Sequence, residues 1–228
     1  MKRDEIRSRI LQALNETPDD PQLYTNAQLN AIINDAGETS AEEAKAIRRS
    51  VDITLRPGHA YYYTRSIAPD MMVPLRLWIP TKNRRLVALS ESNLDDWRER
   101  PHLITDTPWN WFPVSWDMFG VWPTSVGGGE ILRVDYLAWP DELTSDADAP
   151  EFNESTHTAY YLYGMVEGLL KRWDYERAVT VFAQFMEMVG EAVTDTGMRQ
   201  MQMRLHQEKL AGSPSLPTQI AGNRYAAS

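Results

Sequence analysis

Apolar residues recur every three or four positions near the N-terminus, which predicts helices packed along one face. The segment "TPDDP" separates a first helix from a second, and Gly37 is expected to end the second one. Thr39 or Ser40 would cap a third helix, which extends through "AEEAKAIRRSVDITL" as far as "RPGHA". The first apolar stripe consists of Ile6, Ile10, Leu11 and Leu14, and the second of Leu29, Ile32, Ile33 and Ala36.

The pattern changes to alternation in the middle of the chain, which predicts β-strands. Strands are expected in "AYYYTRSI", "MVPLRLWI", "RRLVAL", "WFPVSWD", "FGVWP" and "EILRVDYLAWP". Between the third and the fourth of these, Ser92 and Asp95 have the spacing of a capping box for a short helix. In two strands the residues expected to share a face are Val73, Leu75, Leu77 and Ile79, and Leu132, Val134, Tyr136 and Ala138.

Helical spacing returns after the acidic segment "PDELTSDADAPEFNE", which we interpret as a solvated linker. One helix is expected from about Asn153 and another from about Tyr175. The last segment, residues 211–228, is rich in Pro, Gly and Ser and is expected to be an extended tail that only a partner would order. The two expected stripes are Leu162, Val166, Leu169, Leu170 and Trp173, and Ala178, Val181, Phe182, Phe185, Met188 and Val189.

Four of the eight tryptophans lie in "WNWFPVSWDMFGVW", from Trp109 to Trp122. Exposed tryptophans could stack on bases or sugars, but this segment has no Lys or Arg to hold a phosphate, so packing in a core or between subunits is favoured. Trp122-Pro123 and Trp139-Pro140 are expected to be matching strand ends of one hairpin, with Gly127–Gly129 at its tip. Alternation places Phe112, Val114, Trp116 and Met118 on the inward face. Trp109 and Trp111 are then left for a neighbouring subunit or another partner protein, together with Trp122 and Trp139.

The charge balance argues against a general nucleic-acid binder, because the formal net charge is -9 and phosphate affinity comes mainly from Lys and Arg. The chain has no cysteine, which excludes disulfides and a cysteine-based zinc site. No apolar run reaches the length of a membrane span, so no membrane association is expected.

The search for catalytic chemistry is negative. The four histidines are scattered, and no nucleophile elbow, phosphate loop or calcium-loop spacing occurs, so we expect no enzyme activity, no cofactor and no metal. Two alternatives from other classes stay open. One is a tail-associated cell-wall hydrolase that takes its acids from "PDELTSDADAPEFNE", and the other is a carbohydrate-binding module that uses the tryptophan cluster.

Five segments taken in order resemble the head-to-tail adaptor, or connector, proteins of tailed bacteriophages, including the tail tubular protein A type. "LYTNAQLNAIINDAGE" resembles the family's opening helix, and "RRSVDITLRPGHAYYYTRSI" its helix-to-strand passage. "LVALSESNLDDWRERP" is similar to the pattern in which a strand leads into Ser-x-x-x-Leu-Asp-x-Trp. "FPVSWDMFGVWPTSVGGGEILRVDYLAWPDEL" resembles the adaptor hairpin, and "STHTAYYLYGMVEGLLKRWDYERAVTVFAQFMEMV" the closing helix pair.

The resemblance implies an α+β fold, in which a mainly α-helical bundle carries an inserted antiparallel β region with a projecting hairpin and an extended C-terminal tail. The implied parts are N-terminal helices in residues 1–58, the β domain with its hairpin in 59–143, C-terminal helices in 144–210 and the tail in 211–228.

The resemblance also implies a virion structural protein at the capsid–tail junction, assembled in the host cytoplasm. Copies of the chain, commonly twelve in this family, would form a ring under the portal protein and extend the DNA channel. DNA would pass through without sequence-specific binding, and a tail, nozzle or stopper protein would dock below. The tail residues implied to bind the portal are Pro214, Leu216, Pro217, Ile220, Arg224 and Tyr225.

Overall fold

The computed structural model describes residues 1–17, 23–89 and 107–191, and they have helices at both ends and β structure between them. The described helices are α1 (Arg3–Ala13), α2 (Asn26–Ala44), the single turn α3 (Thr64–Ile67), α4 (His157–Lys171) and α5 (residues 175–191). Short 3₁₀ turns occupy Pro80–Lys82 and Glu154–Thr156. The expected α+β class is therefore confirmed. The capping box at Ser92 and the tail residues from Pro214 onward lie outside the described residues.

The second helix is longer than the sequence predicts. It begins at the Thr25 cap, whose hydroxyl accepts a hydrogen bond from the Gln28 amide, and it passes through Gly37 to end at Lys45 in the left-handed conformation. Gly37 does not end the helix. It lies inside α2, where Tyr160 packs closely against its backbone. A β-carbon on Gly37 would lie 3.2 Å from the Tyr160 hydroxyl.

No separate third helix follows, and the segment "RRSVDIT" forms the strand β1 (Arg48–Thr54). The strand pairs in antiparallel register with β8 (Ile131–Ala138), so that Val51 faces Val134 and Ile53 faces Leu132. Its β-branched residues, Val51, Ile53 and Thr54, favour this extended form. The helix predicted through this segment is therefore wrong.

The helices share one apolar core, to which α1, α2, α4 and α5 all contribute. The predicted stripe of α1 is confirmed, since all four of its apolar residues are buried. The helix α4 approaches α1 closely because Gly164 faces Ile10 and Gly168 faces Leu14, and a β-carbon at either glycine would overlap that side chain. The sequence Gly-x-x-x-Gly thus serves the close packing of two helices within one chain.

The β region consists of two four-stranded sheets that enclose a second apolar core. One sheet has the order β1-β8-β3-β4 and the other β2-β7-β6-β5. Neighbouring strands are antiparallel, except that β5 and β6 are parallel. The strands not yet given are β2 (Tyr61–Tyr63), β3 (Met71–Ile79), β4 (Arg84–Arg85), β5 (Val87–Ala88), β6 (Asn110–Ser115) and β7 (Met118–Trp122).

The strand β3 departs from the alternation expected for it. Leu77 and Ile79 are buried, whereas Val73 and Leu75 are exposed. The pairing of β3 with β8 shifts register between Met71 and Val73 and again before Arg76. Each irregularity changes which side chains face the core, so strict alternation along this strand is wrong.

The expected hairpin between Trp122-Pro123 and Trp139-Pro140 is also wrong. The strand β7 belongs to one sheet and β8 to the other, so the chain between them crosses from sheet to sheet. Gly128 and Gly129 have φ angles of +66° and +79°, and a β-carbon on Gly128 would overlap Pro57. These glycines therefore pack a crossing segment against the end of β1, where Leu55 and Gly129 are hydrogen-bonded.

Candidate interface surfaces

The strands β6 and β7 form a hairpin in the β region. Its turn carries Trp116, whose side chain is 93% exposed. The Ser115 hydroxyl donates to the Asp117 carboxylate over 2.6 Å, and the Asp117 carbonyl accepts from the Thr64 amide over 2.7 Å. The turn is thus held by hydrogen bonds while its tryptophan faces solvent. The prediction that Trp116 and Val114 point inward is wrong, because the register shifts between Pro113 and Ser115.

The four tryptophans predicted to contact a partner occupy different environments. Trp111 is only 8% exposed and packs in the β core, so the outward face expected for it is wrong. Trp109 and Trp122 are half-buried with ring centroids 5.7 Å apart, and Trp139 is half-buried beside β3. The partner contacts of these residues stay predictions.

An aromatic surface covers the outer face of the sheet that contains the hairpin. Phe112 lies over Gly120 of the next strand, and a β-carbon at that glycine would overlap the ring. Tyr61 meets Phe112 edge-on with centroids 6.4 Å apart, and both Tyr61 and Tyr63 are exposed. Together with Trp116, these side chains form what we call the hairpin surface.

The helix α5 has two apolar faces. The predicted stripe is largely confirmed, since Ala178, Val181, Phe185 and Val189 are buried, but Phe182 belongs to another row. That second row is exposed and has the 4-3-4 spacing typical of helix–helix seams, with Val179 at 70% exposure. We call it the α5 stripe, and its members are Tyr175, Val179, Phe182 and Met186.

The corner between α4 and α5 continues the α5 stripe. Trp173 has a left-handed φ of 63°, which turns the chain, and its indole is 78% exposed. Its ring meets Tyr175 edge-on with centroids 6.1 Å apart. The expectation that Trp173 belongs to the buried stripe of α4 is wrong, because the helix ends at Lys171.

The acidic segment after β8 is the expected linker, without regular secondary structure and mostly exposed, but ion pairs also tie it to the rest of the molecule. Arg49 donates to Asp70 over 2.7 Å and to Asp141 over 2.9 Å, and it also bonds Glu151. Arg49 lowers the pKa of Asp141, whereas burial, followed by the hydrogen bond with Asp141, raises the pKa of Glu151. One arginine of the β region thereby gathers carboxylates from the segment that leads into α4.

The same segment also holds the first helix. Arg3 donates to the Leu143 carbonyl over 2.6 Å, and Arg3 and Arg7 pair with Asp146 at 2.8 and 3.0 Å. These hydrogen bonds, first that of Arg7 and then that of Arg3, lower the pKa of Asp146 to about 2. The helical and β regions are therefore joined by charge-assisted bonds on both sides of the acidic segment.

The described residues offer little for catalysis or membrane insertion. No group of three or more His, Asp or Glu side chains in residues 1–17, 23–89 and 107–191 is placed to hold a metal ion. None of the helices in those ranges is long and apolar enough to span a bilayer. The His157 ring donates through Nε2 to the Phe152 carbonyl over 2.8 Å, and this buried contact is structural.

The comparison with protein families gives a match over nearly the whole chain. The sequence model of the SU10 adaptor protein family matches residues 1–208. The chain belongs to this family. A search of curated proteins found no match to the chain.

Membership makes the protein a phage adaptor, which agrees with the resemblance seen in the sequence. The family is structural rather than enzymatic, and it implies a virion component that interacts with portal and tail proteins. The match ends at residue 208 and thus does not include the segment 211–228.

Two surfaces of the adaptor were missed by the sequence reasoning. The α5 stripe had a readable signal, since Tyr175, Val179, Phe182 and Met186 already repeat at 4-3-4 spacing beside the buried row. The sequence carries no signal for the exposure of Trp116, because that exposure depends on the irregular pairing of β6 and β7.

Proposed function

We propose that the adaptor assembles as a multi-subunit ring, of twelve copies as the resemblance implies, beneath the portal protein. In this proposal α1, α2, α4 and α5 form the bundle that builds the wall of the ring, and the β region with its hairpin projects from it. The ring extends the DNA channel and presents a docking surface to a tail, nozzle or stopper protein.

One observation carries the proposal, namely that two separate apolar surfaces are left uncovered by residues 1–17, 23–89 and 107–191. The α5 stripe lies on the helical region and the hairpin surface on the β region. A ring requires that one surface of each subunit meets a different surface of the next. Exposed aromatic residues are common at the centre of such contacts. The α5 stripe is our choice for one side of the contact between neighbouring subunits, and the hairpin surface for the docked protein.

The acidic balance of the chain supports its role as a conduit. With a net charge of -9, the adaptor repels phosphate overall, so DNA would slide through the ring without being held. A lumen wall dominated by Lys and Arg in a map of the assembled ring would contradict this part of the proposal.

The portal contact is proposed for the segment 211–228, whose apolar and charged residues were named above. The test mixes the full-length chain with assembled portal and measures the mass of the complex. A stoichiometric ring is expected, and a chain cut after Leu210 should bind the portal more weakly.

A full-length chain that stays monomeric beside the portal would contradict the proposed ring. A monomer in the absence of portal would not, because the portal can serve as the template that brings the copies together. If the shortened chain binds as tightly as the full chain, the role of the tail is wrong while the ring stands.

A further inference from the structure

The strand β1 is an edge of its sheet, and no other described strand pairs with its outer side. Ile47 accepts a hydrogen bond from Ala138 and Leu55 donates one to Glu130, so the odd-numbered residues of β1 bond toward β8. The amides and carbonyls of the even-numbered residues then point away from the sheet. None of these amides and carbonyls has a backbone partner in the described part of the chain. The residues that carry them are Arg48, Ser50, Asp52 and Thr54.

The opposite edge of the same sheet is not open in this way. Pro74 lies in the middle of β3 and supplies no amide hydrogen, and the two pairs that join β3 to β4 cover its end at Trp78 and Ile79. From β4 the chain passes directly into β5 of the second sheet. The two sheets are thus connected at one side, whereas β1 and β2 are end strands at the other.

A groove of about 570 Å³ lies between β1 and β2. Its apolar lining includes Val51, Ile53, Tyr62 and Ile67, and all four are half-buried extensions of the β core. Val51, Ile53 and Tyr62 face the inside of the molecule, because their cross-strand partners Val134, Leu132 and Phe119 are fully buried. The core therefore reaches the groove, and nothing among the described residues closes it.

Positive side chains without an ion pair in the described ranges lie at both ends of β1, although the chain is acidic. Arg56 and His59 line one end, and Arg48 is exposed near the other end of β1. Neither arginine has an ion-pair partner among the described residues, whereas Asp52 is neutralised by Arg133 at 2.6 Å. The groove thus favours an acidic occupant.

We propose that this groove accepts an extended strand from a partner protein, which pairs with the free edge of β1 and completes the β region. The partner strand has apolar residues at alternate positions, which pack on Val51, Ile53 and Tyr62, and acidic residues at its ends, which meet Arg48 and Arg56. This is strand addition at a sheet edge, in which main-chain bonds supply affinity and alternate side chains supply specificity. The proposal does not require the ring to form.

The first test is calorimetric titration of the full-length chain with the capped peptide Asp-Val-Thr-Ile-Thr-Val-Glu. One control peptide, Asp-Thr-Thr-Val-Ile-Val-Glu, has the same composition without the alternation, and another replaces both acids by Lys. The alternating acidic peptide should bind at least about tenfold more tightly than either control at low salt, and its advantage over the Lys peptide should shrink at high salt. Equal binding of the three peptides, or no binding, would overturn the proposal.

The second test is amide hydrogen exchange with and without the peptide. Exchange should slow at Arg48, Ser50, Asp52 and Thr54, while the alternate amides already bonded to β8 should not change. Slowing without this alternation would overturn strand addition. If exchange at the same amides slows when the concentration of the chain alone is raised, the occupant is a second copy of the chain. The proposal of a different partner protein is then wrong.

The third test uses Ser50→Pro with Ser50→Ala as its matched control. The proline removes an amide that has no partner in the sheet, so peptide affinity should fall about tenfold, whereas the alanine should leave it unchanged. Thermal unfolding reports whether Ser50→Pro is folded, and if it is not, the exchange pattern of the unaltered chain decides. Unchanged affinity in a folded Ser50→Pro would contradict the proposal.

Discussion

The helical and the β regions differ in how they close their cores. In the helical region, α1, α2, α4 and α5 each bury an apolar row, and Gly164 and Gly168 let α4 approach α1 closely. In the β region, the two sheets leave a groove at β1 and β2 with half-buried core residues beside it. The helical core is covered by its own helices, whereas no described residue covers the β core at this groove.

The contrast also appears within α5. Phe185 and Phe182 lie one turn apart with ring centroids 5.9 Å apart, but Phe185 is fully buried and Phe182 is exposed. A second apolar row that is exposed to solvent is a surface on which another subunit can pack. The buried row stabilises the fold of the adaptor, and the exposed row is the one that we propose for assembly.

The largest expected effect comes from this pair. Phe185→Ala should lower the free energy of unfolding by about 3–5 kcal/mol, because it leaves a cavity in the helical core. Phe182→Ala should cost no more than about 1 kcal/mol, since its ring is already in contact with water. Chemical denaturation measures both values. Equal losses would mean that α5 has no separate assembly face.

A smaller effect is expected at the joint between α1 and α4. Gly164→Val should lower the free energy of unfolding by about 1–3 kcal/mol, because its side chain overlaps Ile10. Gly190→Ala is the matched control, since a β-carbon there meets nothing within 4 Å, and it should stabilise α5 by up to about 1 kcal/mol. Thermal melts compare the two, and a stabilising Gly164→Val would contradict the close packing.

The next smaller loss of stability is expected at Arg49, which links the helical and the β regions. Arg49→Met should lower the free energy of unfolding by about 1–2 kcal/mol, because Asp70, Asp141 and Glu151 lose their common partner. Arg133→Met, which removes a surface pair with Asp52, should have a smaller effect. Denaturation monitored by fluorescence tests this order, and the reverse order would show that Arg49 does not join the regions.

The smallest effect is a pH dependence at Asp146. Its pKa in the folded adaptor is about 2, below that of an unfolded aspartate, so the stabilisation is complete above the unfolded pKa and is lost as the pH falls toward 2. Asp146→Asn should therefore flatten the acid limb of the stability profile. Parallel profiles for the two proteins between about pH 4 and pH 2 would contradict the pairing with Arg3 and Arg7.

Local periodicity was enough to predict α1, α4, most of the buried row of α5 and the strand β8. It failed where a residue serves a distant contact, as at Gly37, whose space is taken by Tyr160. Alternation failed in β3 and β6, because register shifts reverse the faces within one strand. The assignment of β7 and β8 to different sheets depends on pairing between distant segments, which no local pattern encodes.

The candidate surfaces were predictable only in part. The tryptophan segment forms β6 and β7, in which Trp111 proved to be a core residue and Trp116 the exposed one. The groove at β1 could not be foreseen, because "RRSVDIT" was interpreted as the end of a helix. The family itself was recognisable from the order of five weak segments, and the match over residues 1–208 confirms it.

The most direct test of the account is the mass of the portal complex formed by an α5 variant. We expect Val179→Glu with Phe182→Glu to remain folded and monomeric beside assembled portal, while the unaltered adaptor forms a stoichiometric ring. The control Glu176→Gln lies on the polar side of α5 and should assemble normally. A full ring of the Val179→Glu and Phe182→Glu variant would contradict the claim that the α5 stripe joins the subunits.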